Sequence, residues 1–337
     1  PLAQEPAETE EADEILEGHS SHGESFNEGP RQSSFLFETQ ANVSFPVTAK
    51  DEEVQAFFNQ GVSFLHGFWY FEAERSFRQV AMIDPDCAMA YWGMAKANSG
   101  NSKRAKGFIV EAVKRKSGAS RREQMYIDLT HTYLNADSKK DKERKQAYMD
   151  GVRKIIEDFP DDIEAKALLV VTQWKNNGKI KIKDHDKVNS MIEEILEVNP
   201  MHSVHHYRIH LWDYKKPANA LASAARCGKA APGIAHMWHM PGHTYSKLKR
   251  YADAAWQQEA SARVDHAHMM RDRVLPDQIH NFAHNNEWLV RNLIHLGRVD
   301  DALDLAKNMT ELPRHPKYNT LRKGSARYGR DRLYGVL

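Results

Sequence analysis

Residues 53–95 read "EVQAFFNQGVSFLHGFWYFEAERSFRQVAMIDPDCAMAYWGMA". Apolar residues recur at helical spacing, and small and large side chains fall in a telling order. Gly61 is followed by Ala73, Phe77 and Pro85, and a new helix begins at Ala88. Small residues at 61 and 73 let two antiparallel helices approach closely. Phe77 fills the gap, and Pro85, with no N–H to donate, stops the second helix.

Looser copies follow. "QAYMDGVRKIIEDFPDD" ends at Pro160 and "VNSMIEEILEVNP" at Pro200, each like the second helix of a pair. "KPANALASAARCGKAAPG", "KRYADAAWQQEASARVD" and "GRVDDALDLAKNMTELP" continue the series. Overlaying them aligns Ala220 with Ala254 and Ala254 with Ala302, shifts of 34 and 48 residues, so the last unit carries an insertion of 14. The spacing around Gly61, Ala73, Phe77 and Pro85 resembles the tetratricopeptide repeat, a helix-turn-helix unit of 34 residues. With its many histidines the chain is similar to a bacterial, histidine-rich kind whose role is open. The resemblance implies an all-α solenoid of five to six helix pairs over 51–313. An acidic leader over 1–50 precedes it, and a basic extension over 314–337 follows. Two basic segments interrupt the pattern. Residues 98–124 read as a loop with a helical insert, and the tail "KYNTLRKGSARYGRDRLYGVL" lacks a helical period. The tail is either the start of a further domain or an extension packed on the array.

The 337 residues are 41% hydrophobic and 28% charged, as in a soluble globular protein. No apolar run approaches the roughly 18 residues that a spanning helix needs. A net charge of +1 gives no reason to expect nucleic acid or an anionic membrane as partner. Cys87 and Cys227 match no thiolate zinc or haem-attachment pattern. Up to Gly29 the leader has nine carboxylates and no lysine or arginine. Its "AQEPAE" opening without methionine fits a mature exported chain, although a trimmed start would look the same and a cytoplasmic location stays open.

Of the 18 histidines, 12 fall between His202 and His295. In "GIAHMWHMPGHTYSKLKRY" (233–251), His236, His239 and His243 stand at spacings of three and four, which share one helix face. The 34-residue shift places His202 under His236 and His205 under His239. The 48-residue shift places His284, Glu287 and Arg291 under His236, His239 and His243. In tetratricopeptide arrays that face lines the concave groove, and the resemblance implies the same here. Helices about 8–10 Å apart bring such side chains within reach of one ion. The expected ligands are therefore His202, His205, His236, His239, His243, His284 and Glu287. A His-rich set with one carboxylate suits zinc, copper or iron, and spacing does not choose among them. The first repeat has Gln55, Phe58 and Val62 at these positions, so the fold itself does not demand histidine.

Pro241 and Gly242 would kink this helix, or else the helix starts at Pro241 and leaves His236 and His239 in a loop. Asp213, Asn281 and Asn285 suit the role of acceptors for the outer ring N–H groups, and equally that of caps or surface contacts. His206 and His210 form a neighbouring i, i+4 stripe. His266, His268 and His280 lie in the insertion, and His19 and His22 in the leader. His66, His131, His185 and His315 read as isolated polar residues.

No Ser/His/Asp elbow, phosphate-cradling glycine loop, HExxH pair or dinucleotide fingerprint is present. The leading expectation is a metal-binding array; if it turns substrate over, Glu287 or Arg291 would assist a metal-bound water. The competing expectation is a scaffold whose groove holds a peptide or protein segment without metal. The chain's own leader is a third occupant of that groove.

Overall fold

The computed structural model describes residues 33–37, 43–276, 279–314 and 324–337. Fifteen helices and no strand occur among them. They are α1 (Glu52–His66), α2 (Tyr70–Ile83), α3 (Ala88–Ala97), α4 (Ser102–Arg115), α5 (Arg121–Asn135), α6 (Asp141–Asp158), α7 (Ile163–Asn176) and α8 (His185–Val198). After these come α9 (Val204–Trp212), α10 (Leu221–Ala230), α11 (Ala235–Lys247), α12 (Tyr251–Asp272), α13 (His280–His295), α14 (Val299–Glu311) and α15 (Gly324–Val336). Each odd-numbered helix up to α13 packs against its successor, giving seven successive hairpins, and α15 covers α13 and α14.

The helices end where local chemistry dictates. Asp51, Asn101, Asp162 and Asp184 cap α1, α4, α7 and α8 with side-chain oxygens, and Ser120 and Glu123 form a reciprocal capping box on α5. Pro85, Pro160 and Pro200 follow α2, α6 and α8, all of them second helices of pairs. Between α1 and α3 the Phe77 ring occupies the space that side chains on Gly61 and Gly93 would fill. A Cβ at either position would stand 2.6 or 2.5 Å from that ring. Ala73, Ala220, Ala254 and Ala302 are all fully buried, as the repeat overlay requires.

Three hairpin turns share one backbone device. Phe68, Lys249 and Gly297 adopt left-handed φ values of 56°, 59° and 73°. The next residue then donates its N–H five positions back: Trp69 to Phe64 O, Arg250 to Tyr245 O and Arg298 to Leu293 O, at 2.8–3.0 Å. The last two turns are 48 residues apart, the shift found in the sequence.

The first turn is also the centre of the molecule. His66 and Phe68 touch side chains of α7 and α9, Phe68 also meets His236 of α11, and Gly67 abuts Ile234. The array therefore curls until its first hairpin plugs its own hollow. Described parts of the leader run extended along α1. Phe37, Phe45 and Val47 donate their backbone N–H groups to Gln60, Asn59 and Gln55. Phe45 is buried against Phe58, Trp92 and Tyr126.

Two expectations change. The stretch 98–124 supplies a whole second helix, α4, and this raises the number of pairs from five or six to seven. The tail expected to lack helical period forms α15, whose Tyr328, Leu333 and Val336 pack on Ala302, Ala306 and Met309. Gly329 allows this, because a Cβ there would lie 2.8 Å from Ala306 O. His19 and His22 lie outside the described residues, as does His315.

Candidate metal centre

Helix α11 runs unbroken through Pro241, so His236, His239 and His243 all stand on it. Gly242 faces α12, where a Cβ would be 2.0 Å from Gln258 Nε2, and this close approach carries Gln258 to His239. His239 Nδ1 donates to Gln258 Oε1 (2.8 Å) and Asn285 Oδ1 (3.1 Å). Both amide orientations are fixed, because Gln258 Nε2 donates to His239 O and Asn285 Nδ2 to Gln258 O. His239 therefore carries its proton on Nδ1 and presents a bare Nε2. On the other side, His243 Nδ1 faces Asp213 Oδ2 at 3.4 Å, and Lys247 holds that carboxylate at 2.7 Å.

The two Nε2 atoms stand 2.9 Å apart. At that distance either one ring donates an N–H to the other, or two lone pairs face a positive charge between them, according to which nitrogen of His243 carries the proton. Burial, followed by neighbouring histidines, pushes the His239 imidazole well below its usual range. Burial also lowers His243 against the pull of Asp213. A full imidazolium is thus disfavoured on both rings. His284 of α13 completes the group, with one ligand atom from each of the three histidines within 4.8 Å of the others. Its ring is partly exposed, and Glu287 lies 3.7 Å from its Nδ1. Glu287 is itself held by Arg291 and approached by Arg332 (3.7 Å). Burial would raise the Glu287 carboxyl, but His284 and Arg291 hold it below its ordinary value. Trp288 stacks on His243, ring centres 4.1 Å apart.

A second group, His206, His210 and His236, lies beside the first, with 5.5 Å between the His236 and His239 rings. Its outer bonds follow the same rule. His206 Nδ1 donates to His66 O (2.7 Å), and His236 Nδ1 donates to Asn281 Oδ1 (3.1 Å), whose amide nitrogen is held by Asp265. His210 stacks on Trp174 at 4.0 Å. Asp213, Asn281 and Asn285, singled out in the sequence as outer acceptors, each meet a histidine nitrogen.

His202 and His205 do not join these groups. Helix α9 starts only at Val204, so His202 sits in the preceding turn and its Nδ1 accepts from the Val204 N–H (3.0 Å). Its Nε2 faces Glu164 Oε1 (3.1 Å), while His66 takes Oε2 (2.7 Å) and Tyr207 OH (2.8 Å). Every ring nitrogen of that buried pair has a partner, and with Glu164 the two histidines form a separate cluster whose ligand atoms lie within 4.8 Å of one another. Burial would raise the Glu164 carboxyl, but His202 and His66 hold it far below the usual range. His205 turns to Ser223 Oγ and Pro200 O, both at 3.0 Å. The repeat shift was set on the second helices, and the shorter α9 does not keep that register. Its inward stripe is His206 and His210. Arg291 packs on Trp288 rather than entering the triad. In the insertion, His268 is buried against Asp272 (2.7 Å), whose charge Arg271 and Arg75 also balance. His266 is exposed, and the His280 side chain lies outside the described set.

No protein-family model matches the chain, and no curated protein matches it. Among solved structures it is similar to yeast Tom70, at 13% identity over 85% of this chain and 56% of that one, with a TM-score of 0.49. It thus spans about half of Tom70. The TPR2AB domain of yeast Sti1 in its pHSP90 complex aligns at 14% identity over 85% and 98%, with a TM-score of 0.29. The TPR domain of P58(IPK) aligns at 16% over 84% and 78%, with a TM-score of 0.25. The helical-hairpin solenoid is read from the turns and packing described above.

Proposed function

We propose that this chain binds a transition-metal ion through His239, His243 and His284, with His206, His210 and His236 as a second trihistidine position. The observation carrying this reading is the convergence of three imidazoles, with one ligand atom of each within 4.8 Å of the others, the Nε2 atoms of His239 and His243 2.9 Å apart and oxygen atoms behind both rings. Outer acceptors of this kind fix the tautomer and raise ligand basicity. At metal–nitrogen distances of roughly 2.0–2.1 Å and a tetrahedral angle, the two nitrogens would sit about 3.3 Å apart, a separation reached by shifting the rings about 0.4 Å. Three imidazoles leave an open coordination position, which the partial exposure of His284 turns toward solvent. Zinc, copper and iron all suit three imidazoles. If the ion activates water, Glu287, beside the partly exposed His284, would receive its proton. An exported location remains part of this proposal.

The test is elemental analysis of untagged protein, followed by zinc, copper and iron titration of chelator-treated chain. Near-stoichiometric metal that falls in the His239→Phe variant supports the reading. Apo protein that takes up none of the three ions rejects it.

A metal-free scaffold is the second reading, and one observation favours it. Side chains of α1 already hold an extended segment by its backbone, Gln55, Asn59 and Gln60 accepting from Val47, Phe45 and Phe37. That is how a groove holds a peptide. A partner retained by the chain after chelation, and lost on Asn59→Ala, would favour it.

A further inference from the structure

A cavity of about 700 Å³ lies on the far side of Phe68 from the trihistidine groups, between the extended leader segment, α1, α3, α5 and α7. Its volume is that of a pocket for one small organic molecule. Phe45 forms part of the wall, so the leader segment is needed to complete it.

The polar lining is dominated by donors. Lys175 Nζ donates to Tyr70 OH at 2.5 Å, and Lys96 Nζ donates to Tyr148 OH at 2.8 Å. Each tyrosine thus accepts from a lysine and keeps its own hydroxyl hydrogen to give. Neither lysine meets a carboxylate within ion-pair distance among the described residues. The carboxylate in the cavity lining, Glu164, is committed to His66 and His202. The surrounding protein, and then the Lys96 charge, push the Lys175 ammonium down to about 7, although its side chain faces the hollow. Two lysines facing one hollow without a counter-charge each disfavour the other's charged form, and an anion between them restores it. Trp174 supplies a partly exposed apolar wall to the same space, with buried Phe68 behind Lys175, whose Nζ stands 4.5 Å over the Phe68 ring.

We infer that this cavity binds a small organic anion, an aromatic carboxylate whose charged end lies between Lys96 and Lys175 and whose ring lies against Trp174. Tyr70 and Tyr148 add hydroxyl donors to the carboxylate. Charge-assisted bonds of this kind are roughly twice as strong as neutral ones. The site is independent of the metal reading, since neither lysine belongs to a histidine group.

Calorimetric titration of the full chain with benzoate, phenyl phosphate and benzamide tests this, each run with and without a chelator. Saturable benzoate binding at least about tenfold tighter than benzamide, unchanged by chelator, is expected. Tighter binding of phenyl phosphate than benzoate would overturn the carboxylate assignment. Lys96→Met and Lys175→Met, checked for native circular dichroism, should each weaken benzoate about tenfold or more. Equal binding of benzoate and benzamide would overturn the inference, and the wild-type comparison decides this even if a variant fails to fold. Benzoate binding that vanishes with chelator would place the anion on the metal and overturn it as well.

Discussion

At the scale of single residues, Gly242 and Asp213 matter as much to the proposed site as its histidines. A methyl group on Gly242 would drive Gln258 away from His239, freeing the ring whose tautomer the site needs. Gly242→Ala is expected to weaken zinc binding about tenfold or more while the helix content stays unchanged, as competition with a chromophoric chelator would measure. Asp213→Asn should cost roughly 10–100-fold in affinity, the usual price of losing an outer partner. His205 gives a pH signature with a definite sign. Burial pushes its imidazole down to about 4, so between that value and about 6.5 the unfolded chain takes up a proton that the fold refuses. Its contribution is fully present above 6.5 and is lost as pH falls toward 4, on the order of 2–3 kcal/mol. Urea midpoints measured across that window should fall with acid, and less steeply in His205→Gln. The sequence offered Asp213, Asn281 and Asn285 both as outer acceptors and as caps or surface contacts, and their hydrogen bonds to histidine nitrogens came only with the fold. Gln258 was not offered, since its reach to His239 depends on a missing side chain at 242.

Among elements, the turns and hairpin contacts are the reproducible parts. Lys249 holds the left-handed conformation that Gly297 adopts freely in the equivalent turn, at a cost of roughly 1–2 kcal/mol for a residue with a Cβ. Lys249→Gly is therefore expected to raise stability by about 0.5–1 kcal/mol in urea unfolding, because flexibility gained by the unfolded chain offsets part of the relief. Gly93→Ala does the opposite, pressing a methyl group into the Phe77 ring, and should cost about 1–3 kcal/mol. The second helices were readable from Pro85, Pro160, Pro200 and the repeated buried alanines, since these signals are local. Helix α9 was misregistered for the same reason. Nothing near His202 marks where a short first helix starts after Pro200, and a shift of about one helical turn moves the inward stripe to His206 and His210.

Across the whole molecule, closure of the array on its own first turn was invisible in the sequence. His66 meets Glu164 and Tyr207, 98 and 141 residues away, through a curvature that accumulates over several hairpins and leaves no periodic trace. His66 read correctly as a satisfied polar residue, but Phe68, Glu164 and Lys175 carried no signal at all. The plug links the first hairpin to α7, α9 and α11, so removing it should loosen a chain that otherwise unfolds repeat by repeat. Phe68→Ala is expected to cost about 3–5 kcal/mol and to broaden thermal unfolding into separable steps seen by calorimetry. The central claim concerns the ion between His239, His243 and His284, and X-ray absorption at the metal edge of zinc-loaded protein addresses it most directly. A first shell of about three imidazole nitrogens near 2.0–2.1 Å, disrupted by His239→Phe, is the expected result. A shell of water oxygens without imidazole scattering, unchanged in that variant, would contradict it.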